Sequence, residues 1–204
     1  MDINQKINLI TRNTEEILTE EDLKELIKND TPLRHYIGFE ISGMVHLGTG
    51  LISMGKIADF LNAGVECTVF LADWHTFINE KLDGKWTTIR KVAENYFKQA
   101  LIASLKCFDV NWEKVNFVLG SDLYKQSAHW QTLMEVSQNT TLSRVQRSLD
   151  IAGRQAGQGV DFAKLIYPPL QVSDIYTLGV NIAHAGMDQR KAHVIAREVY
   201  NKLD

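Results

Sequence analysis

Apolar positions along this chain recur in two rhythms, and the alternation between them predicts its architecture. The first 30 residues carry apolar side chains at helical spacing in two short runs. Thr19, followed three positions later by Asp22, has the form of a capping box for the second run. RHYIGFE then mixes β-branched and aromatic residues and predicts a strand ending near Phe39, followed by a turn at Ile41-Ser42-Gly43. Helical spacing returns from about His46 to Asn62, and Gly64 supplies the residue that commonly ends a helix. CTVFLA, Cys67 to Ala72, is apolar without a break, as in a strand covered on both faces, with Asp73 and His75 expected at its end.

A long helix is predicted from about Trp86 to Cys107 and a third strand from Val115 to Ser121. Residues 122–157 read as helical with breaks, loosened at the end by Gly153, Gly157 and Gly159. From Asp161 to Leu178 the spacing is helical again, but Pro168 and Pro169 lie inside and are expected to kink or interrupt it. Val180 to His184 is a fourth strand candidate, and Met187 to Leu203 a final helix. Strands alternating with helices predict an α/β protein with a parallel sheet and crossover helices.

Composition narrows the classes. The 204 residues suit one domain with a sizeable core. A hydrophobic fraction of 45% and a charged fraction of 23% are ordinary for a globular chain. The net charge of -3 argues against a broadly basic nucleic-acid surface, so any RNA contact must use a local patch. Cys67 and Cys107 are expected to be free thiols in a cytoplasmic protein, and no cysteine–histidine spacing predicts a metal site. The start MDINQKINLI does not have the form of a secretory signal, and no apolar run approaches the ~18 residues of a membrane span.

Parallel sheets bind ligands beyond the carboxyl ends of their strands. Three segments fall at such places: Glu40 to Gly50, Ala72 to His75 and His184 to Lys191. In the first, a Ser-Gly turn leads to a helix start at His46-Leu47-Gly48-Thr49, a setting that favours phosphate oxygens. His46 can donate to negative charge there, and Gly48 leaves room for a flat ligand. The segment lacks the Gly-Lys-Ser/Thr of a P-loop and the G-x-G-x-x-G dinucleotide spacing. On the residues alone, Tyr36 reads as a core aromatic, Asp174 as a solvated helix position and Asp188 as a helix-start acid.

S-G-x-x-H-x-G after a strand resembles the His-Ile-Gly-His signature of class I aminoacyl-tRNA synthetases. IGFEISGMVHLGTG, FLADWH, LSRVQRS, LIYPPLQVSDI and HAGMDQRKAH follow in the order of the archaeal and eukaryotic tyrosyl-tRNA synthetases and cover nearly all of the chain. The resemblance implies a Rossmann-like nucleotide-binding fold with helices on both faces of the sheet and a helical connective insertion at about 122–157, with residues 1–30 as N-terminal helices and 31–204 as the catalytic domain. It implies ATP-dependent activation of L-tyrosine and transfer to tRNA(Tyr), with ATP and Mg2+ as reactant and ion, in a cytoplasmic homodimer. The run from His129 to Ser148 is the implied subunit contact.

By the same resemblance Tyr36 and Asp174 bind the tyrosine hydroxyl, and Tyr167, Gln171 and Gln189 its ammonium. Glu40, His75 and Tyr124 line the pocket. His46, Gly48 and Thr49 form the catalytic signature, with Gly43, Gly186, Met187 and Asp188 around the nucleotide, Asp188 on the ribose. A tryptophanyl-tRNA synthetase, a non-catalytic synthetase-like binding module and an unrelated nucleotide-binding α/β domain stand as alternatives.

Two departures matter. Thr49 stands where the signature has its second histidine, and Ile41 where many relatives have proline. A lysine-rich Lys-Met-Ser-Lys-Ser segment and an anticodon-binding region do not occur within these residues. Tyrosine binding with weak activation is therefore expected of these 204 residues by themselves. ATP–pyrophosphate exchange checks this: weak exchange is the expected result, and exchange at full-length rates would contradict it.

Overall fold

The computed structural model describes residues 1–149 and 161–203. Two short helices lead: α1 (Ile3–Thr11), capped by Asp2, and α2 (Glu20–Lys28), capped by Thr19 in the reciprocal box with Asp22 that the sequence predicts. Strand β1 (Arg34–Phe39) follows. The chain then passes through a π-helical turn at Gly48–Ile52 into α3 (Ser53–Asn62), and Gly64 leaves that helix at φ 74°. Next are β2 (Glu66–Leu71), α4 (Asp73–Ile78), α5 (Trp86–Val92) and α6 (Lys98–Leu105), the last two joined by a second π-helical segment. The chain continues with β3 (Val115–Leu119), α7 (Gly120–Leu123), α8 (Ser127–Gln138) and α9 (Leu142–Arg147). It closes with α10 (Phe162–Thr177), β4 (Ile182–His184) and α11 (Arg190–Val199).

The four strands form one parallel sheet in the order β3-β2-β1-β4. Alternation along each strand divides the interior in two. Ile37, Phe39, Cys67, Val69, Leu71, Val115 and Leu119 face α1, α2, α3 and α6. Tyr36 and Phe70 face α8, α10 and α11. Both faces are therefore covered, which is why these strands read as continuous apolar runs. Right-handed crossovers explain the placement: the chain steps from β1 through β2 to β3 with α3 and α6 on one face, then returns past β1 to β4 with α8 and α10 on the other. The reversal lies between β1 and β4, with Ile37 beside His184, so the segments after Phe39 and His184 leave the sheet side by side.

Three expectations need correction. Asp73 and His75 do not end the second strand; β2 stops at Leu71, and both residues belong to α4. The helix after β1 opens at Gly48 in π form, leaving His46 in the loop before it. Pro168 and Pro169 do not interrupt their helix, which is continuous from Phe162 to Thr177. Proline fits helical φ, and the cost of the missing N–H groups, ~3 kcal/mol each, is offset by burial of every side chain from Tyr167 to Ile175. Gly153, Gly157 and Gly159 lie outside the described residues.

The N-terminal helices are not a separate layer. Lys56 of α3 is buried and donates from Nζ to the carbonyls of Leu9 (3.0 Å) and Arg12 (2.7 Å), which are orphan acceptors at the end of α1. Asp59, also buried, accepts from Arg12 Nε at 2.9 Å and lies 3.9 Å from Lys56 Nζ. Asp59→Ala strands the buried ammonium and is expected to cost about 3 kcal/mol. Thermal melting should show a fall of about 6–12 °C; an unchanged midpoint would contradict this tie between α1 and α3.

Candidate active site

Five elements send polar side chains to one buried point beside the carboxyl half of β1. Asp174, from the middle of α10, is fully buried. His75 Nε2 of α4 lies 3.6 Å from its Oδ2, and His129 Nε2 of α8 lies 4.0 Å from its Oδ1. Both separations exceed a hydrogen bond. Nor are they ion pairs, because burial holds His75 down to about 3 and His129 to about 4, leaving both rings neutral. Tyr124, just after α7, faces the same carboxylate and offsets part of the rise in its pKa, yet stops short of full hydrogen-bond geometry. Among the described residues both Asp174 oxygens, the Tyr124 hydroxyl, both His75 nitrogens, His129 Nε2 and Gln171 Oε1 are buried without a partner. Burial pushes the Asp174 carboxyl well above the usual range and keeps the Tyr36 and Tyr124 hydroxyls protonated.

So many unmet groups at one point mark a site that a ligand completes. Tyr36 enters from β1, buried and tilted against Phe70 with ring centroids 6.0 Å apart. Its ring is accommodated by Gly38, two residues on and on the same face of the strand. A Cβ at Gly38 would stand 2.5 Å from the Tyr36 hydroxyl. His75 meets Tyr167 edge-on, centroids 4.5 Å apart.

A second, acceptor-rich corner adjoins. Tyr167 and Gln171 share one buried face of α10, as their spacing predicts. The Tyr167 hydroxyl donates to Glu40 Oε1 at 2.8 Å, and Asn79 Nδ2 donates to the same oxygen. Tyr167 has thus committed its proton, and its oxygen is left as an acceptor, alongside the unpartnered Gln171 Oε1. Burial raises the Glu40 carboxyl, opposed by the bonds from Tyr167 and Asn79 and by the charge of Lys81.

The segments after β1 and β4 form the mouth. Gly43 takes φ 154°, a conformation side chains rarely adopt. Thr49 ties the turn to His46, whose backbone N–H donates to its Oγ1 at 3.1 Å. The Gly48 N–H donates to His46 Nδ1 at 3.1 Å, so the N–H of the ring lies at Nε2. Gly48 matters here: a Cβ would meet the His46 ring at 3.0 Å. After β4, Asp188 folds back over Gly186, where a Cβ would sit 2.4 Å from Asp188 Oδ1. Asp188 is exposed beside the half-exposed Met187, and its Oδ2 accepts from Gln189 Nε2 at 2.8 Å.

The structure therefore brings Tyr36, Glu40, His75, Tyr124, Tyr167, Gln171 and Asp174 together, with Gly43, His46, Gly48, Thr49, Gly186, Met187, Asp188 and Gln189 on the two turns at the switch point. Asp174 is buried, not solvated as its residue type alone indicates. Arg190, the first residue of α11, pairs with Glu16 through Nε at 2.6 Å. Sequence reasoning missed Asn79, His129 and Gly38. His129, taken as the edge of a subunit contact, is fully buried against Asp174. Only Gly38 left a signal, as an isolated glycine inside a strand. Asp73 carries a structural duty: it accepts from the backbone of Ser121 at 2.9 Å and of Trp74 at 3.0 Å, joining the ends of β2 and β3.

The family described as class I tRNA synthetases (W and Y) matches residues 28–204. The tyrosine–tRNA ligase of Thermococcus sibiricus is 57% identical over all 204 residues, which span 54% of that protein. The chain thus covers about half the length of the curated relatives it matches. A Pyrococcus horikoshii tyrosyl-tRNA synthetase complexed with L-tyrosine superposes with a TM-score of 0.97 at 55% identity, covering 100% of this chain and 55% of that one. An Archaeoglobus fulgidus tyrosyl-tRNA synthetase, also complexed with L-tyrosine, gives 0.87 at 39% identity over 98% and 60%.

An unpaired buried carboxyl costs stability until something binds it. Asp174→Asn is expected to raise the melting point of the ligand-free protein by about 2–4 °C, equivalent to roughly 1 kcal/mol. A lower melting point would show that Asp174 is structurally satisfied.

Proposed function

The chain belongs to the class I tRNA synthetases that comprise the tryptophanyl and tyrosyl enzymes, and from that premise we propose that it binds L-tyrosine and ATP and forms tyrosyl-adenylate for transfer to tRNA(Tyr). The observation that carries this reading is the buried cluster of unpartnered donors and acceptors around Asp174. A phenol hydroxyl both donates and accepts, so it can give its proton to Asp174 and accept from Tyr36 or Tyr124. An indole N–H only donates and would leave the donors unmet. A phenylalanine ring would leave every group unmet, the arrangement that rejects such an analogue most strongly. The ammonium of the amino acid fits the acceptor corner of Tyr167, Gln171 and Glu40, with Gln189 nearby on the turn after β4.

ATP fits the mouth. His46 Nε2–H, the backbone at Gly48 and the Thr49 hydroxyl face the phosphates, Gly43, Gly186 and Met187 line the nucleotide, and Asp188 accepts from the ribose hydroxyls. The tyrosine carboxylate attacks the α-phosphorus, a new P–O bond forms, and the bond to the β-phosphate breaks with its electrons leaving on pyrophosphate. Positioning and charge stabilisation carry such a step. A terminal ribose hydroxyl of tRNA(Tyr) then attacks the acyl carbon, releasing AMP. Mg2+ suits this scheme as an ion brought on the phosphates; among the described residues no three His, Cys, Asp or Glu groups converge to cage it. The same reading makes the protein a homodimer acting in the cytoplasm. No described helix is long and apolar enough to cross a membrane.

Calorimetry tests the assignment. L-tyrosine is expected to bind, with L-tryptophan and L-phenylalanine silent at the same concentrations; binding of tryptophan without tyrosine would overturn it. Gly38→Ala is expected to reduce tyrosine affinity at least about tenfold by displacing the Tyr36 ring, and unchanged affinity would remove Tyr36 from the site.

A further inference from the structure

His129 has no part in the site as deduced from sequence, yet its geometry gives it one. The ring is fully buried and lies between three groups. One face stacks on Tyr124, centroids 4.2 Å apart and planes at 19°. Nδ1 makes a hydrogen bond of 3.0 Å with Thr177 Oγ1, one turn beyond Asp174 on α10. Nε2 points to Asp174 Oδ1 at 4.0 Å, while His75 Nε2 flanks the other oxygen at 3.6 Å. The imidazole therefore spans Thr177 and Asp174 on a single helix face.

A neutral imidazole has one N–H, and its partners decide which nitrogen carries it. A hydroxyl can donate or accept, but a carboxylate can only accept. If Nδ1 carried the proton, the Nε2 lone pair would face the buried Asp174 oxygen, and acceptor would oppose acceptor. If Thr177 donates to Nδ1, the proton sits on Nε2 and faces the carboxylate. We propose that Thr177 fixes the ring proton of His129 on Nε2, making His129 a positioning residue whose N–H faces Asp174 Oδ1 and keeps that side chain aimed as acceptor for the hydroxyl of the bound amino acid. The part concerning the amino acid rests on the tyrosine reading above; the tautomer does not. Low basicity of the ring, pushed to about 4 by burial, keeps it a neutral single donor at physiological pH.

Two measurements on the intact chain test this. Nitrogen-15 NMR of the ligand-free protein should show His129 as the Nε2–H tautomer, with Thr177→Val shifting population toward Nδ1–H; Nδ1–H in the unsubstituted protein overturns the proposal. By calorimetry, Thr177→Val and His129→Phe, which keeps the stack on Tyr124, should each lose about tenfold in tyrosine affinity, the size of one ordinary hydrogen bond in the bound state. Thr177→Ser should restore it, whereas a role in packing alone would leave Thr177→Ser as weak as Thr177→Val or lower only the melting point. Equal affinity of Thr177→Val and the unsubstituted protein overturns the proposal. If the unsubstituted protein binds no tyrosine, the tyrosine reading fails together with the ligand part of this one, and the spectrum still decides the tautomer.

Discussion

A carboxylic acid buried without a completed hydrogen bond governs this structure. Asp174 sits in a helix whose side chains are buried from Tyr167 to Ile175, and neutral histidines stand on either side of it. Burial of this kind is unfavourable for the empty protein. It persists because α10 is fixed by its apolar contacts on α8, α11 and the sheet, so the carboxyl cannot swing to solvent. The folding energy of one face of the sheet thereby maintains an unsatisfied acceptor where a hydroxyl can complete it.

Sheet topology turns that point into a site with two compartments. The chain reverses direction between β1 and β4, and the two turns that leave those strands lie at one mouth. The buried compartment suits a ring with a polar tip; the mouth offers a directed imidazole N–H and an exposed carboxylate. Glycines make these placements possible. Gly38, Gly48 and Gly186 each stand where a Cβ would crowd a side chain of the candidate site: Tyr36, His46 and Asp188. Gly120 does the same for Asp73, which joins the ends of β2 and β3. The glycines clear volume for neighbouring side chains, and only Gly43 among the site glycines adopts an unusual φ.

The legible part of the sequence was the part written in local patterns. Strand and helix periodicity located all four strands to within a residue or two, and the Thr19–Asp22 box and Gly64 marked helix ends. Motifs in family order named the site residues that the fold then brought together. What stayed hidden is what tertiary contact decides. The two prolines signalled a break that dense burial overrides, and Asp73 and His75 read as the end of a strand where a helix begins. Asp174 looked solvated because residue type carries no knowledge of the helices packed over it. His129, Thr177 and Asn79 are distant in sequence from the groups they touch, and no spacing rule connects them.

The central claim is that the unmet groups around Asp174 are completed by the hydroxyl of a bound tyrosine. A crystal structure of this chain grown with L-tyrosine tests it most directly. The account predicts the phenol oxygen within hydrogen-bond distance of Asp174 and of Tyr36 or Tyr124, with the ammonium against Tyr167 and Gln171. A tyrosine bound elsewhere, or one whose hydroxyl leaves Asp174 unpaired, would contradict it.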